Sequence, residues 1–200
     1  MIAGLAPAAL PRVSMRIVSF TSSPDLRTWL AKNHSQSEGI WLRIYKKNSG
    51  VTTVTYAEAL DQSLCFGWID GQKKPHDDQS WLQKLTPRRS KSAWSKKNTQ
   101  HTQRLIDSGE MAAAGLKEVE AAKADGRWSC AYDSFGKATV PDDFLKELAQ
   151  NKKAYAFFET LNKTNLYSIA YRLQTAKKPE TRERRMQAVI GKLSRGEKFH

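Results

Sequence analysis

The chain has 200 residues, of which 40% are hydrophobic and 10% aromatic, so it is long enough and apolar enough to bury the core of one domain. Its 33 Lys and Arg against 20 Asp and Glu leave a formal charge of +13, which favours anionic partners such as nucleic acid, anionic lipid or an acidic protein. No window approaches the roughly 18 apolar residues of a membrane-spanning helix, so no transmembrane segment is expected.

Residues 1–15 are interpreted as a disordered extension. Two prolines, Pro7 and Pro11, interrupt a short apolar run that lacks the basic start of a signal peptide, and Met15 is a candidate natural start because regular patterning begins at residue 16. The only two cysteines have neither metal-ligand nor disulfide spacing. We therefore expect two buried thiols, Cys65 and Cys130, in a cytoplasmic protein without a metal site. No cofactor is expected, because the sequence has no glycine-rich phosphate loop and no other cofactor-binding motif.

Residues 16–92 are predicted to form an α+β region. Apolar residues alternate with polar and aromatic ones over residues 39–47, which predicts a strand. Thr55 and Glu58 have the spacing of a capping box, and the short helix that they begin is expected to end at Gly67. The residues that follow are typical of a strand, a turn and a second strand.

Residues 93–196 are predicted to be helical, and residues 197–200 to form a tail. Apolar residues recur at helical spacing up to Gly126, and four more short amphipathic helices follow Pro141, a pattern typical of a compact bundle. The expected architecture is α+β, with a small, largely antiparallel sheet and one or two helices packed on a C-terminal helical bundle. Apolar stripes on both regions predict that they share one core.

Four separated motifs resemble a known family. They are EALDQSLCFGWIDGQKK (58–74), WLQKLTPRRSKSAWSKKN (81–98), GLKEVEAAKADGRW (115–128) and YRLQTAKKPETRERR (171–185). Together they are similar to the YdeI/OmpD-associated family, also labelled bacteriocin-protection proteins, over about residues 20–196. The resemblance implies a link with resistance to bacteriocins or antimicrobial peptides and with an outer-membrane porin, and it implies no reaction.

The strongest functional signal in the residues themselves is the basic segment 84–104. It contains seven Lys and Arg and no acidic residue, with Trp94 inside it and Trp81 just before it, a mixture suited to phosphate contacts and stacking. Arg88 and Arg89 could clamp a phosphate or carboxylate, and Ser95 could cap a helix start whose amides hold an anion. The structural alternative is a solvated basic face with its tryptophans in the core. The predicted ligand-binding residues are Trp68, Asp70, Lys73, Trp81, Arg88, Arg89, Trp94 and Ser95.

Asp70 has two interpretations. As a site residue it would act beside lysines and arginines. As a structural residue it would form an Asp-Gly turn with Gly71 and cap local amides or pair with Arg88 or Arg89.

A second basic stretch runs from Lys177 to Lys198, with eight positive and three negative residues. It is interpreted as a packed helix with a solvated basic face, the alternative being an amphipathic helix on anionic lipid.

Three functional hypotheses follow. The leading one, carried by the resemblance, is a bacteriocin-protection accessory protein that binds a small anionic ligand or a protein partner without turnover. The second is a nucleic-acid-binding protein that uses the 84–104 patch. The third is an enzyme on a small anionic substrate, with a site around Asp70, Arg88 and Arg89.

Overall fold

The structure, a computed structural model, describes residues 15–35 and 38–199. The predicted extension before Met15, and His200 of the predicted tail, lie outside the described residues. Within them the chain forms eight α-helices and a four-stranded sheet, which confirms the α+β prediction. The chain packs as two compact units: a sheet unit, made of the residues up to Ser63 and Trp68–Pro87, and a helical unit, made of Leu64–Gly67 and the residues from Arg88 onward.

The sheet unit contains every strand of the sheet. These are β1 (Ile17–Val18), β2 (Ile40–Tyr45), β3 (Trp68–Pro75) and β4 (Ser80–Pro87), in the spatial order β1-β2-β4-β3. β1 pairs with β2 in parallel and the other two pairings are antiparallel, so the sheet is largely antiparallel, as predicted. The unit also contains α1 (Ser23–Asn33) and most of α2 (Tyr56–Cys65).

The predicted capping box at the start of α2 is confirmed. The Thr55 hydroxyl accepts from the Glu58 amide at 3.3 Å, and the Glu58 carboxylate accepts from the Thr55 amide at 2.8 Å. Two backbone donors that the helix leaves unpaired are thereby satisfied. Gly67 follows the helix at a φ of 73°, a left-handed conformation that favours glycine.

Asp70 and Gly71 do not form the predicted turn. They lie inside β3, where the register against β4 shifts between Asp70 and Lys73 and gives β3 one extra residue. Such a bulge is a common place for glycine within a strand. The hairpin turns instead between Pro75 and Ser80, where the Asp77 carboxylate accepts from the Gln79 amide at 3.0 Å.

The helical unit contains six helices. They are α3 (Lys96–Asp107), α4 (Ala113–Ala124), α5 (Asp142–Leu148), α6 (Lys152–Phe158), α7 (Lys163–Gln174) and α8 (Pro179–Ser194). The last four share one apolar core that includes Phe144, Ala154, Ile169 and Val189. Phe199, in the segment predicted as a tail, packs against this core. No helix in the described part of the chain has the length and apolarity needed to span a membrane.

α4 approaches the end of α2 so closely that the contact requires a glycine. A Cβ on Gly115 would stand 2.3 Å from the Cys65 carbonyl oxygen and 2.7 Å from that of Leu64. These are backbone atoms that cannot rotate away. The Ala112 amide also donates to the Cys65 carbonyl at 3.1 Å, which fixes the start of α4 at this point.

We expect Gly115→Ala to lower the free energy of unfolding by about 1–3 kcal/mol, because the added methyl forces the backbone apart. Gly191→Ala is the matched control, since Gly191 is also helical and its added Cβ would meet only the Arg195 side chain, at 3.6 Å. The free energy of unfolding of this control should rise by up to about 1 kcal/mol, because alanine has a higher helix propensity than glycine. Urea denaturation measures both, and equal effects of the two substitutions would contradict the close-approach interpretation.

Candidate functional site

A cleft of about 540 Å³ opens on the helical unit, and we call it the cationic cleft. Its lining holds five basic side chains, one carboxylate and one aromatic ring. These are Lys91, Arg127, Arg172, Lys177 and Arg185, with Asp125 and Tyr171. The side chains come from three separate stretches of chain: the loop before α3, the residues after α4, and the α7–α8 region. The arrangement suits an anionic ligand.

Arg127 connects two of these stretches. Its side chain is only 6% exposed, and its Nε donates to both Asp125 carboxylate oxygens, at 2.9 and 2.7 Å. Its Nη1 donates to the Ser92 carbonyl at 3.1 Å. A buried guanidinium is tolerated only when it is paired and hydrogen-bonded in this way. Arg127 is therefore held in one position by contacts within the protein.

Asp125 is the one carboxylate among the described lining residues, and the cations beside it keep it ionised. The hydrogen bond from Arg127 and the positive charges of Arg127 and Lys177 hold the pKa of Asp125 below its usual 3.8, against a smaller opposing effect of burial. The Lys177 amine lies 3.7 Å from the Asp125 carboxylate. Asp125 thus offsets part of the charge of these two neighbours.

The α7–α8 wall carries cations that Asp125 does not offset. Arg185 Nη1 donates to the Arg172 carbonyl at 2.7 Å and to the Thr175 hydroxyl at 3.2 Å, and both acceptors are neutral. Arg172 lies with its guanidinium 4.8 Å from the Phe199 ring. In the described part of the chain, neither of these arginines nor Lys91 forms an ion pair with a carboxylate.

Two of the predicted ligand-binding residues meet at the edge of the sheet unit. The Lys73 amine lies 4.2 Å from the centre of the Trp81 ring, and both residues line a depression of about 420 Å³ together with Lys46 and Lys74. Trp68, by contrast, is 1% exposed, and its indole N–H donates to the His34 carbonyl at 3.1 Å. Trp68 offers no surface for a ligand to stack on.

Asp70 accepts a hydrogen bond from the Tyr56 hydroxyl at 2.7 Å. Burial raises the pKa of Tyr56, and the bond to the Asp70 carboxylate and its negative charge raise it further. The tyrosine therefore stays protonated and remains a donor to the carboxylate.

The predicted residues of the helical unit divide between core and surface. Arg88 is 7% exposed, its guanidinium lies 3.5 Å from the Trp94 ring, and Trp94 itself is 1% exposed. Arg89 is exposed. The Ser95 hydroxyl accepts from the Asn98 amide at 3.1 Å, so Ser95 caps α3 as its type suggested. Of the other cations in the 84–104 patch, Lys91 lines the cationic cleft, whereas Lys96 pairs with Asp133 at 3.0 Å.

Sequence reasoning missed most of the cationic cleft. Arg127 was not singled out, and the basic residues from Lys177 onward were interpreted as a solvated face. The signal in the sequence is the density of Lys and Arg over residues 171–185, the last of the four motifs that carry the family resemblance. The arginines converge only because α7 and α8 return to the end of α4. Within the described residues, no group of three His, Cys, Asp or Glu is placed to hold a metal ion.

Two family models match the chain. Residues 18–118, just over half of it, match a family described as a domain of unknown function, DUF8412. The chain belongs to this family. Residues 137–196 match the model described as "Bacteriocin-protection, YdeI or OmpD-Associated", which confirms the resemblance over that segment. Comparison with curated proteins and with solved structures finds no significant match in either set.

We expect Asp125→Asn to weaken the anchoring of Arg127 and to reduce the unfolding free energy at pH 7. Because the folded pKa of Asp125 is below 3.8, its contribution is present above that value and is lost as the pH falls through the folded pKa. The difference in unfolding free energy between wild type and variant should therefore become smaller from pH 7 to pH 3, as measured by the midpoints of urea denaturation. Glu120→Gln, on the exposed face of α4, is the charge-matched control. A gap independent of pH would contradict this role of Asp125.

Proposed function

We propose that the protein contributes to protection against bacteriocins and that it does so by binding an anionic ligand in the cationic cleft. The first part rests on the family description that residues 137–196 match. The cleft connects bacteriocin protection with anion binding, because four of its lining residues lie within the matched segment. They are Tyr171, Arg172, Lys177 and Arg185. The action proposed is binding rather than turnover.

The distribution of charge supports an anion site in the helical unit. In the described residues this unit has 23 Lys and Arg against 13 Asp and Glu, a net of +10. The sheet unit has 9 against 7, a net of +2. Most of the positive potential that attracts an anion therefore arises from the unit that contains the cleft.

The observation that carries the proposal is the excess of cations in the cleft. Lys91, Arg172 and Arg185 face a shared space without an ion-paired carboxylate in the described chain, and an anion would offset their mutual repulsion. The volume of about 540 Å³ falls within the roughly 300–1,000 Å³ of small-molecule sites. Arg127 and Arg185 are already positioned by hydrogen bonds, which reduces the conformational entropy lost on binding.

The proposal places the protein in the cytoplasm. Cys65 and Cys130 are both free thiols, a state that a reducing compartment maintains.

We expect a double variant, Lys91→Gln with Arg172→Gln, to lose ligand-induced stabilisation. The probes are pyrophosphate, nucleoside diphosphates, phosphosugars and glycerophosphate headgroups, each tested by thermal shift at low and moderate salt. A ligand at a hundred times its Kd stabilises the wild type by about 2.7 kcal/mol, or roughly 5–10 °C in a protein of this size. Lys153→Gln, an exposed charge in α6 outside the cleft lining, should respond like the wild type. If none of these anions stabilises the wild type, or if the double variant responds equally, anion binding in the cleft is wrong.

The protective role has a separate cellular test. A strain that lacks the protein should die at a lower bacteriocin concentration, and the wild-type chain should restore survival while the double variant does not, at equal protein levels. Full rescue by the double variant would show that protection does not depend on the cleft.

A further inference from the structure

An aromatic stripe extends from the cationic cleft along the surface of the helical unit. We use this name for Tyr132, Phe135, Tyr167 and Tyr171. The Tyr171 ring, which lines the cleft, lies 4.7 Å from Tyr132 and 6.2 Å from Tyr167 between ring centres. Tyr167 in turn lies 5.3 Å from Phe135. Two of these contacts, Tyr132 with Tyr171 and Phe135 with Tyr167, are edge-to-face, so the four rings form one connected cluster that adjoins the cations of the cleft.

The stripe lies on the opposite side of α7 from the apolar core. α7 buries Ile169 and Leu173 completely or almost so, and residues two positions away, Tyr167 and Tyr171, lie on the other face of the helix. Phe135 is 46% exposed and Tyr171 is 37% exposed. Packing of the core therefore does not account for the exposure of Phe135 and Tyr171, whereas Tyr132 and Tyr167 are half-buried beside them. Adjoining aromatic side chains that remain open to solvent indicate a binding surface.

Cations lie beside the stripe in two places. The Lys163 amine lies 5.4 Å from the centre of the Phe135 ring, on the side farther from the cleft. On the side of the cleft, Tyr171 shares the lining with Arg172. A ligand that spans the surface would meet positive charge, then a row of rings, then a positively charged cavity.

We propose that the anionic ligand of the cleft is single-stranded nucleic acid, with its phosphates in the cationic cleft and its bases stacked on the aromatic stripe. This inference rests on the proposed function and specifies its ligand. Every base has a flat π-face, so a row of rings beside cations binds a single strand with little dependence on sequence. A duplex hides those faces, and an acidic peptide would use the cations but not the rings. Four connected rings suit about two or three bases.

The test is fluorescence anisotropy with the full chain and fluorescein-labelled oligo(dT) and oligo(rU) of eight nucleotides, at several salt concentrations. We expect both strands to bind, and a duplex of the same length and a glutamate peptide of the same charge to compete poorly. Phe135→Ala and Tyr171→Leu should each weaken binding by about 5- to 160-fold, the range that a base–aromatic stack covers, with the salt slope unchanged. Arg172→Gln should instead reduce the slope of log K against log salt by about 0.7.

Tyr155→Leu is the matched control, because Tyr155 is a 38% exposed aromatic residue of α6 whose ring contact is with Phe158 and not with the stripe. It should bind like the wild type, and thermal melts establish that each variant is folded. If Phe135→Ala and Tyr171→Leu both bind like the wild type, or if the glutamate peptide competes as well as the oligonucleotide, the nucleic-acid inference is overturned. Anion binding in the cleft would still stand in that case, provided that Lys91→Gln with Arg172→Gln abolishes stabilisation by pyrophosphate. If no anion binds the wild type, both proposals fail.

Discussion

The organisation of the helical unit around its cleft depends on the burial of one guanidinium. Arg127 is taken out of water, so it must keep both the Asp125 carboxylate and the Ser92 carbonyl, and these acceptors belong to different stretches of chain. The Asp125 side chain is itself 40% exposed, but the guanidinium has almost no access to water, so loss of either acceptor would leave a buried donor unsatisfied. Two further contacts join the same two stretches of chain. The Trp94 and Trp128 rings lie 5.0 Å apart, and the Tyr132 amide donates to the Trp94 carbonyl.

This anchoring explains how the cleft can gather so much positive charge. Asp125 offsets one of the two charges of Arg127 and Lys177, and Arg185 is held by a backbone carbonyl and a hydroxyl, neither of which reduces its charge. Hydrogen bonds thus position Arg127 and Arg185, and the five cations of the cleft face a single carboxylate in its described lining. Tyr171 of α7 also lines the cleft, so positive charge and aromatic surface meet on one unit. A protein arranged in this way is suited to ligands that combine negative charge with flat rings.

Local sequence signals predicted the secondary structure well where one interaction decided the outcome. Thr55 and Glu58 cap α2 and Ser95 caps α3 because each bond joins residues only three apart. The Asp70–Gly71 pair carries an equally strong turn signal, yet pairing of β3 with β4 overrode it and placed Gly71 in a bulge. Arg88 and Trp94 were predicted to contact a ligand because a guanidinium can bind an anion and an indole ring can stack. Their burial against each other depends on packing that the sequence does not display.

The sequence by itself determined the α+β class, the caps and order of most elements, and the family resemblance over residues 137–196, because these follow from local periodicity and short motifs. It also determined that the chain is strongly basic. Only the tertiary structure decided which of the 33 basic residues share a cleft. Lys91, Arg127 and Arg185 are far apart in the chain, and their convergence is produced by helix packing and a buried guanidinium. Neither leaves a periodic pattern in the order of residues, because both depend on contacts between distant segments.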